Sequence, residues 1–141
     1  MPVRKAAVKA TDALDPPATS IFTPDTEFGS RFLVEVVRGC ANLCRFCWAG
    51  YNYLPVRPFP ADRILQLAEE ARPYAHRAGL VSIALCDHPE IDRILARLHE
   101  MGYAISPASL RLDDLTEPIV RVLRASGERG LTIAPETGSD R

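Results

Sequence analysis

The chain of 141 residues is 47% hydrophobic and 25% charged, which suits one compact domain with a real core and excludes a disordered or fibrous chain. Lys and Arg number 17 against 18 Asp and Glu, a formal charge of -1, so no global field draws it to nucleic acid or an anionic membrane. No apolar run approaches the ~18 residues that span a bilayer, and the opening Met-Pro-Val-Arg-Lys-Ala-Ala lacks the apolar stretch of a signal peptide; the expected compartment is the cytoplasm.

Residues 1–30 carry Pro2, Pro16, Pro17 and Pro24 among Thr, Asp and Ala, show no helical or alternating period, and are expected to be a leader or linker. From Arg31 onward the pattern changes, and residues 31–141 are expected to form the domain. Strands are expected at Phe32–Val37, Leu80–Leu85, Tyr103–Ser106 and Leu131–Ala134. Between them, residues 61–78 carry Ile64, Leu65, Ala68 and Ala71 on one helical face, with Pro73 expected to kink or split the helix. Residues 89–101 place Ile91, Ile94, Leu95, Leu98 and Met101 in one stripe, and Gly102 stops them. A third helix is expected from Thr116, as N-cap, to Ala125, with Ile119, Val122 and Leu123 facing inward.

Strand and helix alternate, which implies an α/β fold of parallel strands joined by crossovers. Loops after the C-terminal ends of such strands are where α/β folds place chemistry. Past the fourth strand, Pro135-Glu-Thr-Gly-Ser-Asp140 reads as a loop with Ser139 or Asp140 capping a further helix. The expectation is therefore a core truncated at its C-terminus and only marginally stable alone, because its last strand lacks a covering helix.

Three of the four cysteines, Cys40, Cys44 and Cys47, are crowded into one loop, which points to a metal in a reducing compartment. Their spacing in Arg38-Gly-Cys-Ala-Asn-Leu-Cys-Arg-Phe-Cys47 is C-x3-C-x2-C. Three thiolates on a tight loop can ligate three irons of a cubane cluster and leave the fourth open to a substrate. Gly39 lets the chain turn sharply off the strand, and Leu43, Phe46 and Trp48 can shield such a cluster from water. Two other metal readings stand beside this one. A structural zinc would need a fourth ligand, for which His76, Cys86 and His88 are the nearest later candidates, although the x3-then-x2 spacing argues against it. An electron-transfer cluster would normally need a fourth cysteine. Cys86 itself reads as a small buried hydrophobe and His88 as a solvated loop histidine.

The motif C-x3-C-x-aromatic-C just past a first strand resembles the radical S-adenosylmethionine (SAM) superfamily, over roughly residues 20–141. The resemblance implies a partial TIM-type barrel of βα repeats, of which about four strands are present. It also implies a 4Fe-4S cluster on Cys40, Cys44 and Cys47, SAM chelated through its amino and carboxylate groups at the open iron, and an external electron donor. Reductive cleavage of SAM then yields a 5'-deoxyadenosyl radical that abstracts hydrogen from a substrate, whose identity the sequence does not encode. Thr23–Phe28, Gly50-Tyr51 and Ala134–Ser139 are most similar to a subgroup whose longer members carry a cobalamin-type domain upstream, and residues 1–30 have no room for one.

The same resemblance nominates residues around SAM. Phe46 is expected near the adenine, through its backbone or its ring, the ring reading equally well as core. Asp87 stands where the family often has a Gly-Gly-Glu-like segment for the SAM amino group, and with Glu90 it also spells a capping box for the next helix. Ser109 and Arg111 are expected on the same rim; Arg111 pairs there with the SAM carboxylate or an acidic substrate, or else with Asp113 or Asp114. Glu136 is expected at the SAM ribose or amino group.

Overall fold

Phe32, Val34 and Val36 alternate with Leu33 and Glu35, which makes one face of a strand apolar. In the computed structural model, residues Phe32–Arg38 form that strand, β1. The structure describes residues 2–4, 6, 8, 11–127, 130–136 and 138. β1 pairs in parallel with β3 (Arg77–Ser82), which pairs in parallel with β4 (Ala104–Pro107). On its other edge β1 meets the two-residue strand β2 (Arg57–Pro58), antiparallel, giving the sheet order β2-β1-β3-β4. A second, two-stranded parallel sheet joins β5 (Leu110–Arg111) to β6 (Ile133–Ala134).

The register of β1 and β3 steps between Glu35, opposite Val81, and Val37, opposite Ser82. Val36 is thus the extra residue of a bulge, and Val36 and Val37 are both buried where strict alternation would expose one.

Helices cover one face of the sheet. α2 (Ala61–Ala71), α3 (Ile91–Glu100) and α4 (Glu117–Ala125) pack side by side, α2 also against β1 and α3 against β4. Their apolar stripes, Ile64, Leu65 and Ala68, then Ile94, Leu95 and Leu98, then Ile119 and Leu123, join Phe32, Val34, Leu80 and Ile105 in one buried cluster. Tyr103 is buried among them, with its hydroxyl donating to the Ala68 carbonyl at 2.7 Å. The other face is thinly covered, and Val81 on it is 47% exposed. The result is a mixed α/β fold whose larger sheet is mostly parallel.

The structure moves several expected boundaries. The helix expected over residues 61–78 stops at Ala71: Arg72 still has helical φ and ψ, but Pro73 offers no N–H to carry the helix on. The strand expected at Leu80–Leu85 runs from Arg77 to Ser82. It begins early because Gly79 leaves room for Leu33, whose Cδ2 lies 2.5 Å from where a Cβ would stand. It ends early because the Ser82 hydroxyl donates to the Val37 carbonyl and accepts from the Ala84 N–H, which folds the chain into a turn. Of Leu131–Ala134 only Ile133 and Ala134 pair, and with β5 rather than with the main sheet. Thr116 stands at the N-cap of α4, but its side chain makes no cap hydrogen bond. The caps expected at Ser139 or Asp140 lie outside the described residues.

The segment before Arg31, expected as a leader or linker, is hydrogen-bonded to β1 in part of its described residues. Glu35 N–H donates to the Pro17 carbonyl, Thr19 N–H to the Leu33 carbonyl, and Ala18 bridges Val34, so residues 17–19 lie along β1 in line with β2. Asp15 pairs with Arg63 at the start of α2. Among the described residues no helix is long and apolar enough to cross a membrane.

Ile94 is fully buried where α3 meets the sheet, whereas Arg93 beside it makes half-exposed ion pairs with Glu90 and Asp62. Ile94→Ala is expected to destabilise the fold by roughly 2–5 kcal/mol and Arg93→Ala to leave the denaturation midpoint almost unchanged, both read from chemical denaturation.

Candidate functional site

β1 delivers the chain into the cysteine loop through Gly39. Its φ of +102° is one that side chains rarely adopt, and a Cβ there would stand 2.6 Å from the Tyr53 carbonyl oxygen and 3.0 Å from that of Pro55. Farther along the loop, Gly50 lies in the short helix α1 (Ala49–Asn52), where a Cβ would stand 3.1 Å from the Asn42 carbonyl oxygen. The Tyr51 hydroxyl donates to the Leu43 carbonyl at 3.1 Å. The loop is therefore held against residues 50–56, and its own turn is closed by Cys47 N–H on the Cys44 carbonyl at 3.0 Å. Cys40 is buried, with Asn42 Nδ2 3.6 Å from its sulfur; Cys44 and Cys47 are partly exposed, and none of the three is in a disulfide.

The opposite wall comes from the end of the chain. A cavity of about 390 Å³ is lined by Asn42 and Cys44 from the loop, Arg111, Leu112 and Asp113 from β5 and the turn after it, and Ala134, Pro135 and Glu136 from β6 and its exit. Glu136 takes a φ of +63°, a left-handed backbone uncommon outside glycine, and its Oε2 lies 3.9 Å from the Cys44 sulfur. Partial burial, then the Glu136 carboxylate and the Cys40 and Cys47 thiols, push the Cys44 thiol above its ordinary range.

Arg111 is ringed by carboxylates. Its Nη2 donates to Asp114 at 2.6 Å and its Nε to Asp113 at 3.3 Å, while Nη1 is buried 3.7 Å from Asp87, too far for a hydrogen bond. Three expected site residues, Cys44, Arg111 and Glu136, thus share one cavity, and Asp87 backs onto the arginine. Ser109 is exposed on the β4–β5 connection and Phe46 is 72% exposed; neither side chain lines that cavity.

Two expectations are corrected. Asp87 does not cap α3: it lies in a 3-10 turn over Leu85–Asp87, and the N-cap position is Glu90, with no side-chain cap bond. His88 is not a solvated loop histidine, since it is 3% exposed, its Nε2 bonded to the Phe59 carbonyl at 2.7 Å and its Nδ1 accepting from the Glu90 N–H at 3.0 Å. Both ring nitrogens are spent on backbone, so His88 offers no lone pair to a metal. His76 stands beside Arg72, before the start of β3 and away from the cysteine loop. Asn42 was not foreseen, because a lone Asn between two cysteines gives no signal until the fold turns it toward Cys40 and the cavity.

The family model described as the radical SAM superfamily matches residues 34–141. An uncharacterized protein of Methanocaldococcus jannaschii is 38% identical over 126 residues, 86% of this chain and 28% of that protein. The chain belongs to the radical SAM superfamily. It spans 28% of the length of the curated relative it matches.

Members of the superfamily typically bind a 4Fe-4S cluster and SAM. Among the described residues no three His, Cys, Asp or Glu side chains are arranged to hold a single metal ion. A cubane makes a different demand, since each thiolate takes its own iron and the sulfurs need not converge on one point. Three thiols on one short loop, the middle one already within electrostatic reach of the other two, fit that demand.

Cys86 stands apart, its thiol pushed up to about 11, chiefly by burial and then by Asp114, with Arg111 opposing. Its folded value lies above the ordinary 9.0. The stability it lends is therefore full below pH 9 and is lost as pH rises toward 11. Cys86→Ala is expected to flatten the fall in melting temperature across that window.

Proposed function

We propose that this chain is the cofactor-binding part of a radical SAM enzyme, with Cys40, Cys44 and Cys47 as ligands of a 4Fe-4S cluster and the cavity beside Cys44 as the SAM site. The observation that carries the reading is that cavity, which puts a thiol of the cysteine loop next to Arg111 and Glu136, brought there from the far end of the chain. When bound and reduced by an external electron donor, the cluster supplies the electron that cleaves SAM to a 5'-deoxyadenosyl radical for hydrogen abstraction.

The residues divide the work by charge. Loading a cluster takes the proton from Cys44, so the Glu136 carboxylate loses its neighbouring thiol proton and is left to accept from a cation, the role an ammonium group of SAM would fill. Arg111 lines the cavity as a cation that a carboxylate there would pair with, while its buried Nη1 faces Asp87 behind it. Asn42 holds Cys40 on one side and lines the cavity on the other. In this proposal Phe46 contributes through its backbone, Asp87 acts behind Arg111, and Ser109 stays at the outer rim.

Residues 31–141 are proposed as the first βα units of a partial barrel, supported by the parallel order β1-β3-β4 and the parallel β5-β6 pair. Cobalamin does not enter the proposal; it rested on the resemblance of residues 23–28, 50–51 and 134–139 alone. The substrate is proposed to be chosen by parts of the protein beyond these residues.

Changing Cys40, Cys44 or Cys47 to Ala is expected to abolish nearly all iron binding after anaerobic reconstitution, with Cys86→Ala close to wild type. Equal iron loss at Cys86 would defeat the three-ligand assignment. SAM added to the reduced protein is expected to shift its electron paramagnetic resonance spectrum, and an unchanged spectrum at full iron loading would mean the site is closed. Glu136→Ala is expected to weaken SAM binding about tenfold while iron content stays constant.

A further inference from the structure

Arg57 is 8% exposed, and a buried guanidinium must be satisfied or it costs several kcal/mol. Its partners among the described residues are backbone carbonyls: Nε donates to Pro55 at 3.0 Å, Nη2 to Tyr53 at 3.4 Å and Nη1 to Val8 at 3.1 Å. Two of these oxygens, those of Tyr53 and Pro55, are the same two that a Cβ on Gly39 would meet. The next residue is Cys40.

We propose that Arg57 is the positioning residue of the first cysteine. One planar fork holds both carbonyls in the place where only a glycine fits beneath them, and so fixes the turn from which Cys40 enters the site. Lysine cannot replace it, because an ammonium offers its donors from a point and does not span two carbonyls in one plane. The third bond, to Val8, ties the N-terminal segment into the same clamp. The consequence for a cluster rests on the function proposed above; the positioning of Cys40 does not.

The test is alkylation of each cysteine in the metal-free full chain, followed by mass spectrometry. Arg57→Gln is expected to speed modification of buried Cys40 about tenfold or more, the loss of a charge-assisted hydrogen bond that restrained local opening. Cys86 should be unaffected, and Arg57→Lys should fall between. Gly39→Ala pushes on the same carbonyls from the other side, so the double variant is expected to be no faster than the faster single one. In iron-loaded protein, Arg57→Lys should release iron to a chelator faster and broaden the spectrum of the reduced cluster. An unchanged Cys40 rate, a parallel rise at Cys86, or multiplying effects in the double variant would each overturn the proposal. Wild-type protein that takes up no iron would instead sink the cluster reading, while the alkylation rates still decide the role of Arg57.

Discussion

At Gly39 the chain leaves β1 beneath two carbonyl oxygens, in a backbone conformation that a side chain would both strain and fill. That close approach is possible because β1 lies between β2 and β3, so the strand cannot slide away from the turn that crosses it. The direction in which Cys40 enters, the closing of the loop over Asn42 and Gly50, and the facing of Cys44 toward Glu136 all follow from where that backbone emerges. The site is thus anchored by a contact between main-chain atoms, well away from its own chemistry.

The layering of the fold puts the other wall where it is needed. Helices on one face leave the strand ends to carry the polar groups, and within each of the two sheets parallel pairing sends the strand ends the same way. β1 ends at the cysteines, β5 at Arg111 and β6 at Glu136. Asp87 follows β3 and backs onto Arg111, so a fourth strand contributes through an ion pair rather than through the cavity wall. Placement by strand ends also explains the three carboxylates around a single arginine: the turn after β3 brings Asp87 to it and the turn after β5 brings Asp113 and Asp114.

The α/β class, the three helical stripes and the cysteine loop were legible in the sequence, because each is a pattern of side chains at fixed spacing. Ile91, Ile94, Leu95 and Leu98 announce α3 regardless of what they pack on. The start of β3 was not legible, since Ala78 and Gly79 mark it by the absence of a side chain that Leu33 then covers. Two-residue strands such as β2 and β5 carry no periodicity at all. Arg57 and Asn42 were missed and His88 misread for a common reason, that each is defined by carbonyls, N–H groups or a sulfur brought to it by the fold. Arg111 and Glu136 could be placed on the rim from their positions after strands, and Asp113 and Asp114 were legible as partners of Arg111; only Asp87 needed the turn after β3 to be seen beside β5.

The two walls of the site differ in how far apart their residues lie along the chain, and this orders their assembly in time. The three cysteines sit within one short loop, so bringing them together closes little chain and costs little entropy. The contact between Cys44 and Glu136 joins positions 92 residues apart, and it needs β5 and β6 paired before it can form. During synthesis or refolding the thiols would meet first, in a loop still open to solvent on the side that Arg111 and Glu136 later wall off. The thiols are therefore open to solvent on that side early, and once the chain has folded the same approach is narrowed to the cavity of about 390 Å³ between the two walls.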